Sequence, residues 1–263
     1  MLHVLITIII SLLISMLSFK AKFLTKSGGI VQFILAVLIF GFGGIKWAIP
    51  IVTFFFLSSI LSYIRKNKNK EVETYFEKSC QRDHSQVIAN GGISGILVVL
   101  NYYYNSELLY FVYVSCISAV CADTWATEIG TIKKIKTVNI LNFKTVEQGS
   151  SGGISLTGMA GSALGAFIIP VTSVCFLGEN KFYWVFLITI AGLLGSLTDS
   201  ILGASIQAQY FCNNCGKVTE HKYHCSSKTL LKKGFYRVNN DVVNFITSCA
   251  GGIYLIFLQS VYR

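Results

Sequence analysis

Eight apolar runs, each close to the length that crosses a bilayer, constrain this chain more than any other feature. They lie at about 2–19, 28–44, 47–64, 87–104, 108–129, 152–177, 182–208 and 242–262. A spanning helix needs about 20 apolar residues. Backbone in lipid must satisfy its own hydrogen bonds, so such runs fold as helices. The expected fold class is all-α, a polytopic membrane helix bundle of about eight transmembrane helices forming one domain over 1–263. The 41–46 connection is short enough for the second and third runs to form a tight or re-entrant hairpin. Composition agrees: 53% of residues are hydrophobic and 13% charged, where soluble domains carry about a quarter charged residues.

Charge orients the bundle. Except for Lys46, Lys181 and Arg263, every Lys and Arg falls in the four odd-numbered connections, 19–27, 65–86, 130–151 and 209–241. Cytoplasmic loops collect basic residues, so the termini are expected outside and these loops in the cytoplasm of a cell-membrane protein. The net charge of +10 is thereby explained by topology and by attraction to anionic membrane lipids, and no nucleic acid is implied. The first run has no basic residue before it and no small-residue cleavage site, which favours an uncleaved anchor over a signal peptide. The segment 63–78 reads as solvated, with a short amphipathic helix as one form it could take.

Against this apolar background the polar residues stand out. Asp123 and Glu128 close the fifth run in C-A-D-T-W-A-T-E-I-G, and a charge at membrane depth is normally functional and partnered. On a helix the two acids sit about 140° apart. They share a metal only if the helix unwinds near Gly130; otherwise one pairs elsewhere. The seventh run carries Asp199 among Gly192, Gly195 and Gly203, a setting suited to a cation or to phosphate through Mg²⁺. Glycines and serines at Gly149, Ser150, Ser151, Gly152 and Gly153 precede the sixth run, where backbone N–H groups and the helix dipole favour phosphate. A stripe of Ser155, Gly158, Ser162 and Gly165 reads as a packing face. Asn240 and Asn244 open the eighth run as caps or as ligands of base, ribose or metal-bound water. The fourth run opens with Gln86, Asn90, Gly91 and Gly92, and so should face protein or water. All these clusters fall at the cytoplasmic ends of their spans. A cation pathway would instead place ionisable residues through the full membrane depth, which disfavours a transporter.

The fourth basic loop, at 209–237, holds Cys212, Cys215, His221, His224 and Cys225. A C-x-x-C followed by His and Cys supplies the ligands of a tetrahedral zinc. Cys212, Cys215, His224 and Cys225 are the expected set, with His221 as substitute, in a small cytoplasmic Cys/His loop resembling a zinc ribbon. In a reducing compartment a disulfide is disfavoured.

Together, S-G-G at Ser27, Q-R-x-x-S-Q-V-x-x-N-G from Gln81, D-T-W-A-T-E-I-G at Asp123, G-S-S-G-G at Gly149, G-S-x-x-D-S-x-L-G-A-x-x-Q from Gly195 and N-N-D-x-V-N at Asn239 resemble the transmembrane protein 19 family. That family includes the plant phytyl-phosphate kinase. The D-T-x-A-x-E-I-G stretch and K-T-V-E-x-G-S at Lys144 look like signatures of CTP-dependent lipid kinases. The sequence departs from the pattern at Ser150 and Ser151, where G-T-N-G-G is common, at the inserted Gln148, and at Asn239-Asn240-Asp241, where D-N-N is usual. The resemblance implies phosphoryl transfer from CTP to a prenyl monophosphate, with a prenol kinase or a cytidylyltransferase as alternatives on the same site. It implies Asp123 and Asp199 as Mg²⁺ ligands, Glu128 as a further ligand or water acceptor, and Lys144 with the Gly149–Gly153 backbone on phosphates. Glu147, Asn240 and Asn244 would touch the nucleotide, and Arg82 and Asn90 the acceptor side. The prenyl tail would lie between spans.

Overall fold

In the computed structural model, which describes residues 2–69, 72, 75–76 and 80–261, every apolar run becomes a helix. The helices are α1 (Leu2–Lys20), α2 (Lys26–Leu38), α3 (Gly44–Lys68), α4 (His84–Tyr104), α5 (Glu107–Gly130), α6 (Leu156–Thr172), α7 (Lys181–Ser205) and α8 (Asn240–Val261). Among the described residues six stretches are long and apolar enough to cross a membrane, with Lys26–Lys68 counted as one; α6 is shorter, at 17 residues. The chain is a multi-pass, mainly helical membrane protein.

The second and third runs meet at a π-helical turn (Ile39–Gly43) and at Gly44, whose φ of +66° suits glycine. The chain doubles back there, because Phe23, just before α2, rests edge-on against Phe55 of α3. A narrow cleft separates the two arms. Arg65, read as a loop residue, lies inside α3 and is buried at 3% exposure. Of the solvated segment 63–78, residues 63–68 continue α3; Lys70, Glu71, Glu73, Thr74, Glu77 and Lys78, like Arg263 at the C-terminus, lie outside the described residues.

Helix α5 is the axis of the bundle. It packs against α3, α4, α6, α7 and α8, and every residue from 110 to 122 is buried. Lipid tails are as apolar as leucine, so helices associate through close packing and interhelical hydrogen bonds rather than hydrophobic drive. Glycine supplies that closeness. A Cβ on Gly161 or Gly165 of α6 would lie 2.5 or 2.6 Å from the carbonyl oxygens of Trp125 or Cys121 on α5. On α7 and α8, Gly195 and Gly251 would meet the Ala119 methyl at 2.5 and 2.6 Å. Ser115 and Ser118 donate across to the carbonyl oxygens of Gly251 and Ala166, each at 2.8 Å.

The small-residue stripe on α6 divides its work. Gly158 and Gly165 face α5, joined by Gly161. Ser155 caps the helix by accepting the Gly158 N–H at 3.1 Å, and the Ser162 hydroxyl meets that of Ser196 on α7 at 3.1 Å. The helix starts at Leu156 rather than at 152 because Gly153–Ile154 enters a small sheet. There β1 (Thr137–Asn139) pairs antiparallel with both β2 (Thr145–Val146) and β3 (Gly153–Ile154). The 209–237 loop forms a second three-stranded sheet, ordered β5 (Val218–Thr219), β4 (Gln209–Phe211), β8 (Leu230–Lys233), beside a hairpin of β6 (Tyr223–His224) and β7 (Ser227–Lys228).

Candidate active site

The C-terminal ends of α3, α5 and α7 and the N-terminal ends of α4, α6 and α8 surround one cavity of about 400 Å³. Asp123 and Asp199 both line it, contributed by helices that the glycine contacts hold together. The two carboxyl groups thus face a shared space. Thr247 of α8 donates its hydroxyl to Asp199 Oδ2 at 2.8 Å. Carboxylates that share a site repel unless a proton or a cation offsets the charge, and hard oxygen ligands suit a divalent cation such as Mg²⁺.

Glu128 is not part of that pair. Helix α5 does not unwind at Gly130, so the angular offset along the helix sends Glu128 to α3, where Arg65 Nε reaches Oε2 at 2.5 Å and the Ser62 hydroxyl reaches Oε1 at 2.6 Å. Glu128 thus stands as a buried ion-pair partner on the cavity wall and not beside the two aspartates as a further ligand.

The glycine-rich loop lines the cavity from Gln148 to Gly153. Gly149 and Gly152 have φ of +88° and +77°. A Cβ on Gly152 would lie 2.3 Å from that of Ala204, so α7 and the loop touch through a hydrogen atom. The loop differs from a bare helix N-terminus, since Gly153 N–H bonds Ser150 O and Ser150 N–H bonds Glu147 O, and three residues separate Gly152 from α6. Lys144 and Glu147 are exposed and do not line the cavity. The β1–β2 hairpin turns them away, with the Lys144 N–H held by Asn142 Oδ1 at 3.0 Å.

From α8, Asn240, Asp241 and Asn244 line the cavity. The capping role falls to Asn239, whose Oδ1 accepts from the Val242 N–H at 3.2 Å. Arg82, Gln86 and Asn90 line the opposite wall. Asp83 there forms a capping box with Gln86 that begins α4.

Glu220 is one cavity residue that the sequence reading passed over. It comes from the Cys/His loop, and its Oε1 accepts from the Ser151 hydroxyl at 2.8 Å and from Gln207 Nε2 at 2.7 Å. The available signal was that it is the one acid in 209–237. Ser62 and Arg65 gave less, since a basic residue at a helix end reads as topology.

Behind Glu220, the ligand atoms of Cys212, Cys215, His224 and Cys225 all lie within 4.8 Å of one another. His224 Nδ1 is 3.5 Å from Cys215 Sγ and 3.3 Å from Cys225 Sγ. Tetrahedral zinc at about 2.3 Å from sulfur and about 2.0 Å from nitrogen separates such atoms by roughly 3.5 Å, so the four residues fit that ion. Adjacent His224 and Cys225 both reach inward because Cys225 and Ser226 take left-handed φ of 50° and 59°. The His224 imidazole holds the Cys212 thiol down at about 6, nearer the thiolate that binds metal. His221 is outside the set.

The family model for integral membrane protein DUF92 matches residues 9–252. Protein PGR of Arabidopsis thaliana is 30% identical over 97% of this chain and 95% of its own length. The membrane protein MJ0933 of Methanocaldococcus jannaschii is 30% identical over 80% of this chain and 85% of its own. Protein VTE6, chloroplastic, of Arabidopsis thaliana is 24% identical over 90% of this chain and 65% of its own. No solved structure matches.

Proposed function

The chain belongs to the DUF92 family of integral membrane proteins, and on that premise we propose that it is a phosphotransferase that carries the γ-phosphoryl group of CTP to a prenyl monophosphate, giving the diphosphate. The observation that carries this reading is the convergence of Asp123 and Asp199, from two different helices, on one cavity faced by a glycine-rich loop. Phosphoryl transfer asks for positioning and charge neutralisation rather than covalent chemistry. Asp123 and Asp199, with Thr247 behind, would hold Mg²⁺, which neutralises phosphate charge when bound. The Gly149–Gly153 loop would lie along the nucleotide phosphates, with Asn240 and Asn244 on the nucleoside side. Arg82 and Asn90 would face the acceptor phosphate. An acceptor oxygen attacks the γ-phosphorus, the bond to the β-phosphate oxygen breaks, and CDP leaves with that electron pair. The acceptor is already ionised, so no base is needed to remove a proton.

Nearly all basic residues fall in the connections at the end where the cavity opens, which supports a cytoplasmic site with both termini outside. Structural zinc in the Cys/His loop completes the proposal. Detergent-purified protein given CTP labelled either at the γ-phosphate or in the cytidine, with Mg²⁺ and a panel of prenols and prenyl monophosphates, should label the diphosphate from the γ-phosphate alone, and Asp123→Asn and Asp199→Asn should abolish labelling. Label on prenols alone would make it an alcohol kinase, label only from the cytidine moiety a cytidylyltransferase, and no labelled lipid with any acceptor would end the reading.

A further inference from the structure

The cleft between the arms of the α2–α3 hairpin shares three residues with the catalytic cavity: Arg82, Gln86 and Asn90 line both. Its walls are otherwise almost wholly apolar, with Leu35 and Ile39 on one arm and Ile51 and Phe55 on the other, closed by Gly91 of α4. Gly91 keeps it open, because a Cβ there would stand 3.2 Å from Leu35 Cδ1 and 3.5 Å from Ile51 Cδ1.

At the junction sits a cation. Arg82 is 9% exposed, its guanidinium lies 5.2 and 5.5 Å from the ring centres of Phe54 and Phe55, and its Nη1 has no hydrogen-bond partner among the described residues. A buried donor left unmade costs about 1–3 kcal/mol, more when charged, so such an orphan is explained by a ligand that satisfies it. A group that pairs with guanidinium on one side and continues into an apolar cleft on the other is an anionic head with a hydrocarbon tail.

We infer that the α2–α3 hairpin cleft is the tail-binding site for the acceptor lipid, with Arg82 holding the acceptor phosphate where cleft and catalytic cavity join. The inference rests on the proposed kinase reading for the identity of the head group. It assigns tail selection to the hairpin, away from the α5–α6–α7 core that carries the two aspartates. Residues deep in the cleft then set the longest tail accepted.

Two measurements test this. A diazirine-tailed alkyl monophosphate cross-linked to the purified protein and mapped by mass spectrometry should label α2 and α3 around Leu35, Ile51 and Phe55, and geranylgeranyl monophosphate should compete. Labelling confined to α6, α7 or α8 would overturn the assignment. In the transfer assay, Ala36→Phe, which adds bulk to the cleft wall, should lower kcat/KM for geranylgeranyl monophosphate about tenfold or more while sparing dimethylallyl monophosphate. Equal loss on both, or loss on neither, would overturn it as well. If no acceptor is phosphorylated, the kinase reading fails and the cross-link map alone decides the cleft.

Discussion

Removing either member of the Arg65–Glu128 pair should destabilise the bundle far more than removing both. The side chains are 4% and 11% exposed, with Nε and Oε2 2.5 Å apart. Unit charges about 4 Å apart at an effective dielectric of about 20 attract by about 4 kcal/mol. Stripping one partner leaves a bare buried charge, which costs about 3–5 kcal/mol, whereas replacing a buried pair with apolar side chains is often neutral. Glu128→Leu also leaves the Ser62 hydroxyl without its acceptor, a further 1 kcal/mol or so. Arg65→Met and Glu128→Leu should therefore each lower the unfolding free energy in mixed micelles by roughly 3–5 kcal/mol. The double variant should lie nearer the wild type than either single one, with a coupling energy of a few kcal/mol. It should also retain Mg²⁺-dependent transfer, because Glu128 faces α3. Additive losses would refute the pairing. Loss of activity in the double variant with activity kept in Arg65→Met would show that Glu128 reaches the reacting groups after all.

Thr247→Val removes the hydroxyl donated to Asp199, a bond to a charged group worth about 1.5–3 kcal/mol; the Mg²⁺ concentration for half-maximal transfer should change about tenfold or more, and an unchanged titration would count against the aspartate pair as the metal seat. Gly152→Ala forces a Cβ to 2.3 Å from Ala204 at a positive φ and should destabilise the loop by about 2–5 kcal/mol, whereas Gly29→Ala, with nothing within 4 Å of the new methyl, should be neutral in the same unfolding measurement. Elemental analysis should find one zinc per chain, lost in Cys215→Ser; a full complement of zinc in that variant would remove Cys215 from the ligand set. Glu220→Gln weakens the acceptor shared by Ser151 and Gln207, so amide exchange at 149–153 should quicken while the bundle stays protected, and unchanged exchange would show that the loop holds itself.

Helices were legible in the sequence because a bilayer leaves the backbone one economical solution, and apolar length alone reveals it. The position of Asp199 among glycines was legible for a related reason: close helix contact and burial both leave compositional marks. Pairings across helices left none. The rotation that separates Asp123 from Glu128 can be computed from helix geometry, but which neighbour each acid meets depends on the order of helices around α5. Arg65 was misassigned because charge near a span end is ambiguous until burial is known. The start of α6 was misplaced because β3 competes for Gly153, and that pairing is set by β1, fourteen residues upstream in Asn139↔Gly153. Lys144 and Glu147 carried a recognisable pattern, yet a hairpin turns them outward.

Because α6, α7 and α8 meet α5 through glycine, at spacings where an added Cβ would stand within about 2.6 Å of a carbonyl oxygen or methyl group, those seams leave little room for one helix to shift against another. A core of that kind behaves as the stator of a machine. Any opening of the cavity then falls to the parts that do not share those seams: the glycine-rich loop, the Cys/His insertion and the α2–α3 arms.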